Sequence, residues 1–203
     1  MQTVRLWKLV DNECQDLAIQ EIKNIQETNT EKQLEDLIVE APNLLMEDLT
    51  LVGRQTDTPG GPLDLLGVNE DGQLIIFELK RGTLTREAVS QIVDYSSYLA
   101  SLDVERLSEH ISHRSGMLGI DKIDDFATWY QENYGKTLSE NKQPKMILVG
   151  LGADEKTKRM VEYLSNSGVD ISLITFYAFK DENQTFLAKQ VEVESKSYEL
   201  PLT

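Results

Sequence analysis

Between Leu74 and Lys80 the chain reads LIIFELK, with Leu74 and Ile76 alternating with Ile75 and Phe77. Successive side chains of an extended strand point to opposite faces, so both faces of this strand are apolar over its first half. Such a strand needs cover on both sides, which predicts an internal position in a sheet with helices above and below. The run then ends on Glu78-Leu79-Lys80, with both charges on the face that carries Leu74 and Ile76. An ionised carboxylate or ammonium is costly to bury unless it is paired or coordinates a metal, so this triplet demands partners.

The segment before it supplies one. Leu63 to Val68 is separated from Gln73 to Lys80 by Asn69-Glu70-Asp71-Gly72, and this Asp-Gly turn between apolar runs predicts a β-hairpin. Asp64 sits on the first arm, between Leu63 and Leu65-Leu66. Two carboxylates and a lysine at the open end of a buried hairpin suit a hard divalent cation, which takes oxygen ligands and, in the case of Mg²⁺, keeps several waters. The lysine would stand beside such a water or a substrate anion. An Asp followed at a distance by Glu-x-Lys also arises by chance in an acidic chain, so the surrounding elements matter.

Those elements form an alternating series. Thr3 to Val10 predicts a strand and Leu17 to Ile25 a short helix. Thr30 with Gln33 reads as a capping box, followed by Leu34, Leu37, Ile38 and Ala41 at helical spacing until Pro42 stops the run. Leu49 to Gln55 predicts a strand leading through Thr56-Asp57-Thr58-Pro59-Gly60-Gly61 into the hairpin. A helix is expected from Thr85 to Leu102, with Gln91 and Tyr95 at i, i+4, and further helices over Asp103 to His113 and Asp121 to Tyr134. Lys145 to Leu151, Asp154 to Ser167 and Asp170 to Phe179 read as a βαβ unit with parallel strands, and Thr185 to Val193 as an edge strand. The expected fold class is α/β, a mixed central β-sheet flanked by helices. Residues 1–29 are expected to form an N-terminal strand and short helical segment, 30–194 the main domain and 195–203 a tail.

Composition excludes several functions. With 35 Asp and Glu against 20 Lys and Arg, the formal net charge is -15, which counts against nucleic-acid binding by bulk electrostatics but not against a local metal site that takes a phosphate. No apolar run of membrane-spanning length occurs, and a protein of the cytoplasm without a membrane partner is expected. Cys14 is the single cysteine and has no disulfide or thiolate partner. His110 and His113 lack an identifiable third ligand, and Gly150-Leu151-Gly152 lacks the third glycine of a dinucleotide fingerprint, so both are read structurally.

The matching pieces, in order, are Glu31-x-x-Leu34-x-x-x-Ile38-x-x-x-Pro42, then Gly60 or Gly61 with Asp64-Leu65-Leu66, the turn Asp71-Gly72, Phe77-Glu78-Leu79-Lys80-Arg81-Gly82, and Ala88-Val89-Ser90-Gln91 through Tyr95. Together they resemble the core of the PD-(D/E)xK nuclease superfamily, and in detail the NucS/EndoMS-type endonuclease domain. The resemblance covers roughly Thr30 to Leu99. It implies a restriction-endonuclease-like core, DNA as substrate, and Mg²⁺ or Mn²⁺ as cofactor. Carried over residue by residue, Asp64 and Glu78 would bind the metal, joined by the backbone carbonyl of Leu79; Lys80 would be the catalytic lysine, and Gln91 with Tyr95 the supporting pair. The upstream helix should add an acidic residue. Of Glu31 and Glu35, Glu31 lies nearer the centre of the apolar stripe and is preferred, with Glu35 in reserve.

Two departures bear on DNA binding. Members of the family carry a DNA-binding and dimerisation domain ahead of the nuclease domain, where this sequence has residues 1–29, and they often have Glu after the Arg of the preceding strand, where this sequence has Arg54-Gln55. Arg54, Arg81 and Arg86 are expected to form, with Lys80, a local positive rim for substrate. A homodimer or a DNA-binding partner protein is expected to complete the grip. The competing reading is a non-catalytic binding subunit of a repair, restriction or defence assembly that keeps the nuclease fold.

Overall fold

The strand marked by its two apolar faces lies in the interior of the sheet. The computed structural model describes residues 7–10, 13–16, 20–21, 30–80, 82–138, 143–181 and 184–195, with side chains at 34–80, 82–138, 143–177 and 187–195. In chain order the elements are β1 (Trp7–Val10), β2 (Glu13–Asp16), β3 (Gln20–Glu21), α1 (Thr30–Glu40), β4 (Thr50–Thr58), β5 (Gly61–Val68), β6 (Leu74–Lys80), α2 (Arg86–Ala100), α3 (Val104–Arg114), α4 (Phe126–Tyr134), β7 (Lys145–Gly150), α5 (Glu155–Asn166), β8 (Ile171–Asp181) and β9 (Gln184–Val193). A 3-10 turn at Pro42–Leu44 follows α1.

The mixed sheet runs β4-β5-β6-β7-β8, with β9 antiparallel to β8 and β3 antiparallel to the end of β8. β6 is antiparallel to β5 and parallel to β7, and every residue from Leu74 to Leu79 is buried. β7-β8 is parallel, as the βαβ pattern predicted, and β6-β7 is parallel as well. The β5-β6 turn is built as its sequence implies. Asn69 Oδ1 accepts from the amides of Asp71 and Gln73 at 3.1 and 2.9 Å, and Gly72 takes φ +74, a left-handed conformation that costs a side-chain-free residue little.

Each face of β6 has its own core. Leu74 and Ile76 pack with Leu66 and Val68 of β5 beneath α2 to α5, through Val89, Ile92, Phe126 and Val161. Ile75, Phe77 and Leu79 join Leu65, Ile147 and Val149 on the other face, where Leu34 and Ile38 of α1 cover them. Alternation in one strand thereby dictates both layers of helices.

Several boundaries differ from the sequence reading, among them β4, which runs to Thr58 rather than ending at Gln55. In the segment expected to be helical over Leu17 to Ile25, Gln20–Glu21 is extended and pairs with Phe179 and Lys180, since backbone groups at the sheet edge offer partners that a short polar helix lacks; the rest of that segment lies outside the described residues. β1 and β2 form a separate antiparallel pair, placing Glu13–Asp16 in a strand. The helix expected from Asp121 begins only at Phe126, because Asp125 caps it by accepting the Thr128 amide at 2.7 Å.

The core around β6 yields a stability prediction. Phe77 is fully buried, so Phe77→Ala should destabilise the fold by about 3–5 kcal/mol while Ile76→Val costs about 0.5–1.5 kcal/mol. Urea denaturation followed by circular dichroism measures both.

Candidate active site

The site lies where β5 and β6 stop pairing. Their register runs from Val68↔Leu74 to Leu65↔Phe77 and, continued one step, sets Asp64 opposite Glu78 with both side chains on one face. Backbone pairing ends there, and the Leu79 amide instead donates to Asp64 Oδ2 at 2.7 Å. The carboxylate of one arm thus holds the backbone of the other. Glu78 is 2% exposed and lies 2.5 Å from Lys80 Nζ through Oε1. Lys80, two residues further along the same face, is partly open to solvent. The aliphatic residues before these charges anchor β6, so the charged end inherits a fixed position.

A second group reaches Asp64 from the other side. Gln55 of β4 donates through Nε2 to Asp64 Oδ1 at 3.0 Å and lies 3.4 Å from Glu35 Oε1. The same Glu35 oxygen accepts from Arg54 Nε at 2.6 Å, while Arg54 reaches Asp36 Oδ1 at 2.6 Å and the Leu118 carbonyl at 3.1 Å. Glu35 is buried. A continuous polar chain therefore links Leu118, Arg54, Glu35, Gln55, Asp64 and the amide of Leu79.

Electrostatics follow from this packing. Burial pushes the Asp64 carboxyl above its ordinary value; the Leu79 amide, Gln55 and Lys80 pull it back, and Glu35 adds to the rise. Tyr95 of α2, 2% exposed, is likewise held above its ordinary value by burial and then by the charges of Glu78 and Asp64, which keeps its phenol neutral. For Arg54, burial disfavours the cation, but hydrogen bonds to Asp36 and Glu35 outweigh it and keep the guanidinium charged.

Of the residues singled out by sequence, Asp64, Glu78, Lys80 and Tyr95 come together, and Gln91 lies one turn before Tyr95 on α2. Glu35 joins Asp64 through Gln55. Glu31 lies on α1, and its side chain falls outside the described residues. Arg54 requires a correction: its side chain is 10% exposed and its guanidinium is engaged by two carboxylates, so it braces α1 against β4 instead of standing as a free rim charge. Arg86 is exposed at the start of α2, 3.1 Å from Glu87, and Arg81 falls outside the described residues. Gln55 was missed as a site residue. Its signal was the departure Arg54-Gln55 itself, one strand away from Asp64 and opposite it.

The donor set suits a hard cation. Asp64, Glu78 and the Leu79 carbonyl offer oxygen alone, the chemistry that Mg²⁺ and Mn²⁺ prefer. No group of three or more His, Cys, Asp and Glu able to hold a metal occurs among the described residues. Asp64, Glu78 and the Leu79 carbonyl would leave further positions on such a cation to water and substrate.

A mixed sheet between helices, with Asp on one arm of a central hairpin and Glu-x-Lys on the other, defines a PD-(D/E)xK-type nuclease fold. Residues 30–128 match the family described as the endonuclease NucS C-terminal domain. This stretch is a domain of that family, related to Endonuclease NucS. The Endonuclease NucS of Sulfurisphaera tokodaii is 38% identical over 72 residues, covering 36% of this chain and 29% of that protein. That of Pyrococcus furiosus is 28% identical over 118 residues, covering 58% and 42%. The solved structure of an EndoMS–dsDNA2 complex aligns with a TM-score of 0.46 and 20% identity over 77% of this chain and 48% of that one. The matches thus span less than half the length of these relatives. Among the described residues no helix is long and apolar enough to cross a membrane.

The raised Asp64 carboxyl makes a pH prediction for the metal-free protein. The folded state binds a proton above pH 3.8, the ordinary value, where the unfolded chain has released it. Stability in EDTA should therefore fall as pH rises from there through the folded value, then level off. Asp64→Asn keeps an acceptor for the Leu79 amide and can pair with a rotated Gln55 carboxamide. It should flatten that part of the profile and melt above wild type at pH 7, read by thermal unfolding across pH.

Proposed function

We propose that this domain is a Mg²⁺- or Mn²⁺-dependent deoxyribonuclease, acting as an endonuclease in DNA repair or defence. The observation that carries the reading is the meeting of Asp64, Glu78 and Lys80 at the β5-β6 fork of a domain related to Endonuclease NucS. Asp64, Glu78 and the carbonyl of Leu79 would hold the cation. When bound, it supplies Lewis-acid charge to the phosphate and acidifies a bound water.

This chain's own residues do the rest. Lys80 is tethered to Glu78 and keeps part of its side chain open to solvent. Its ammonium can donate to the attacking water and to a non-bridging phosphate oxygen, offsetting the charge that grows in the in-line transition state. Neutral Tyr95 and Gln91 on α2 support the site and the substrate. Glu35 would be the acidic residue supplied by the upstream helix, acting through Gln55, with Glu31 beside it on α1. Hydrolysis would leave a 5′-phosphate and a 3′-hydroxyl. Substrate contacts on the rim would come from Arg86 and Arg81, and a homodimer or a DNA-binding partner would supply affinity that a net charge of -15 opposes.

That net charge also favours a second reading, a non-catalytic binding subunit with the nuclease fold. Incubation with single-stranded, duplex, mismatched and branched DNA plus Mg²⁺ or Mn²⁺ separates the two. Lys80→Ala and Glu78→Ala should retain the wild-type circular dichroism spectrum and cleave at least about 100-fold more slowly. Mn²⁺ binding by calorimetry should collapse in Asp64→Asn. Cleavage by Lys80→Ala at the wild-type rate would sink the catalytic assignment.

A further inference from the structure

Only two non-glycine residues among those described have a left-handed backbone, Gln55 at φ 51 and Leu118 at φ 54. Both touch Arg54 or neighbour it: Leu118 through its carbonyl, Gln55 as the next residue in β4. A branched or long side chain pays a steric penalty in this region, and strained residues of this kind persist where the surroundings over-determine them. Gln55 is held on both flanks by ladder pairs, Arg54↔Leu65 and Thr56↔Leu63, which leave it opposite Asp64. The left-handed residue therefore re-aims one side chain between two flanking ladder pairs.

What that side chain reaches is specific. Its Nε2 donates to Asp64 Oδ1 at 3.0 Å and lies 3.4 Å from Glu35 Oε1, between two carboxylates. Asp64 is thereby gripped at both oxygens, the other by the Leu79 amide at 2.7 Å, which fixes the plane of its carboxylate. Glu35 is itself held by Arg54 Nε at 2.6 Å. A glycine would take the same backbone without strain and would leave Asp64 Oδ1 without this donor. A carboxylate at 55 would face two others at hydrogen-bond range.

We propose that Gln55 is a positioning residue: its strained backbone aims a neutral carboxamide that orients Asp64 for the divalent cation and separates it from Glu35. The inference rests on the nuclease reading, with Asp64 as a metal ligand. Gln55 acts through Asp64 and touches no reacting atom. Its loss should weaken cation binding and slow turnover without weakening the fold, the reverse of what a purely structural hydrogen bond would do.

The test compares wild type, Gln55→Gly and Asp64→Asn for thermal unfolding in EDTA, Mn²⁺ affinity by calorimetry, and single-turnover cleavage of duplex DNA at saturating Mn²⁺. Gln55→Gly should melt at or above the wild-type temperature, bind Mn²⁺ on the order of tenfold more weakly, and cleave more slowly even when loaded. Gln55→Glu should melt lower in EDTA, with the loss recovered on adding Mn²⁺. Wild-type Mn²⁺ affinity in Gln55→Gly, alongside an affinity lost in Asp64→Asn, overturns the positioning role and leaves the nuclease reading intact. If wild type binds no Mn²⁺, or binds it unaffected by Asp64→Asn, the nuclease reading fails and the positioning role with it.

Discussion

The bond from the Leu79 amide to Asp64 joins two strands at the place where their ladder ends. A hairpin that paired to its tips would bury its backbone groups in mutual hydrogen bonds and leave no reason for a carboxylate between Leu63 and Leu65. Because the arms separate beyond Leu65 and Phe77, the Leu79 amide needs an acceptor, and Asp64 provides one at close range. That exchange draws an anion into the sheet, sets it beside Glu78, and leaves the pair short of positive charge. Lys80 offsets part of it. A hard cation would offset the rest, so the geometry that satisfies a backbone donor would also suit metal-assisted phosphate chemistry.

The cost of this arrangement is distributed. Burial holds the Asp64 carboxyl pKa above its ordinary value, Gln55 is twisted into a left-handed conformation, and Arg54 is drawn largely out of solvent to neutralise Glu35 and Asp36. Each is unfavourable alone and explicable as part of one connected network. The two cores on either face of β6 supply the rigidity that holds it. In this acidic protein Arg54 is thereby committed to internal bracing.

Much of the architecture could be read from residue order. The two-faced apolar strand, the Asn69–Gly72 turn and the βαβ unit depend on local period and turn chemistry, which are written in consecutive residues. The helix expected over Leu17 to Ile25 failed at Gln20–Glu21 because edge pairing with β8 joins residues far apart in the chain. The choice between Glu31 and Glu35 shows the same limit inside the site. Distance from the apolar stripe favours Glu31, whose side chain lies outside the described residues, while Glu35 reaches Asp64's neighbour because its flank of α1 faces β4, and a helical wheel does not say which flank meets which strand.

The sequence by itself determined that a central hairpin carries Asp64 on one arm and Glu78 with Lys80 on the other, since alternation and turn chemistry are local. Tertiary structure decided what surrounds them. Arg54 moved from an expected substrate contact to an internal brace, and Gln55 emerged as the donor that orients Asp64. Both outcomes depend on how α1 docks beside β4, a long-range packing choice made through the core on that face of the sheet, and no short window of residues encodes it.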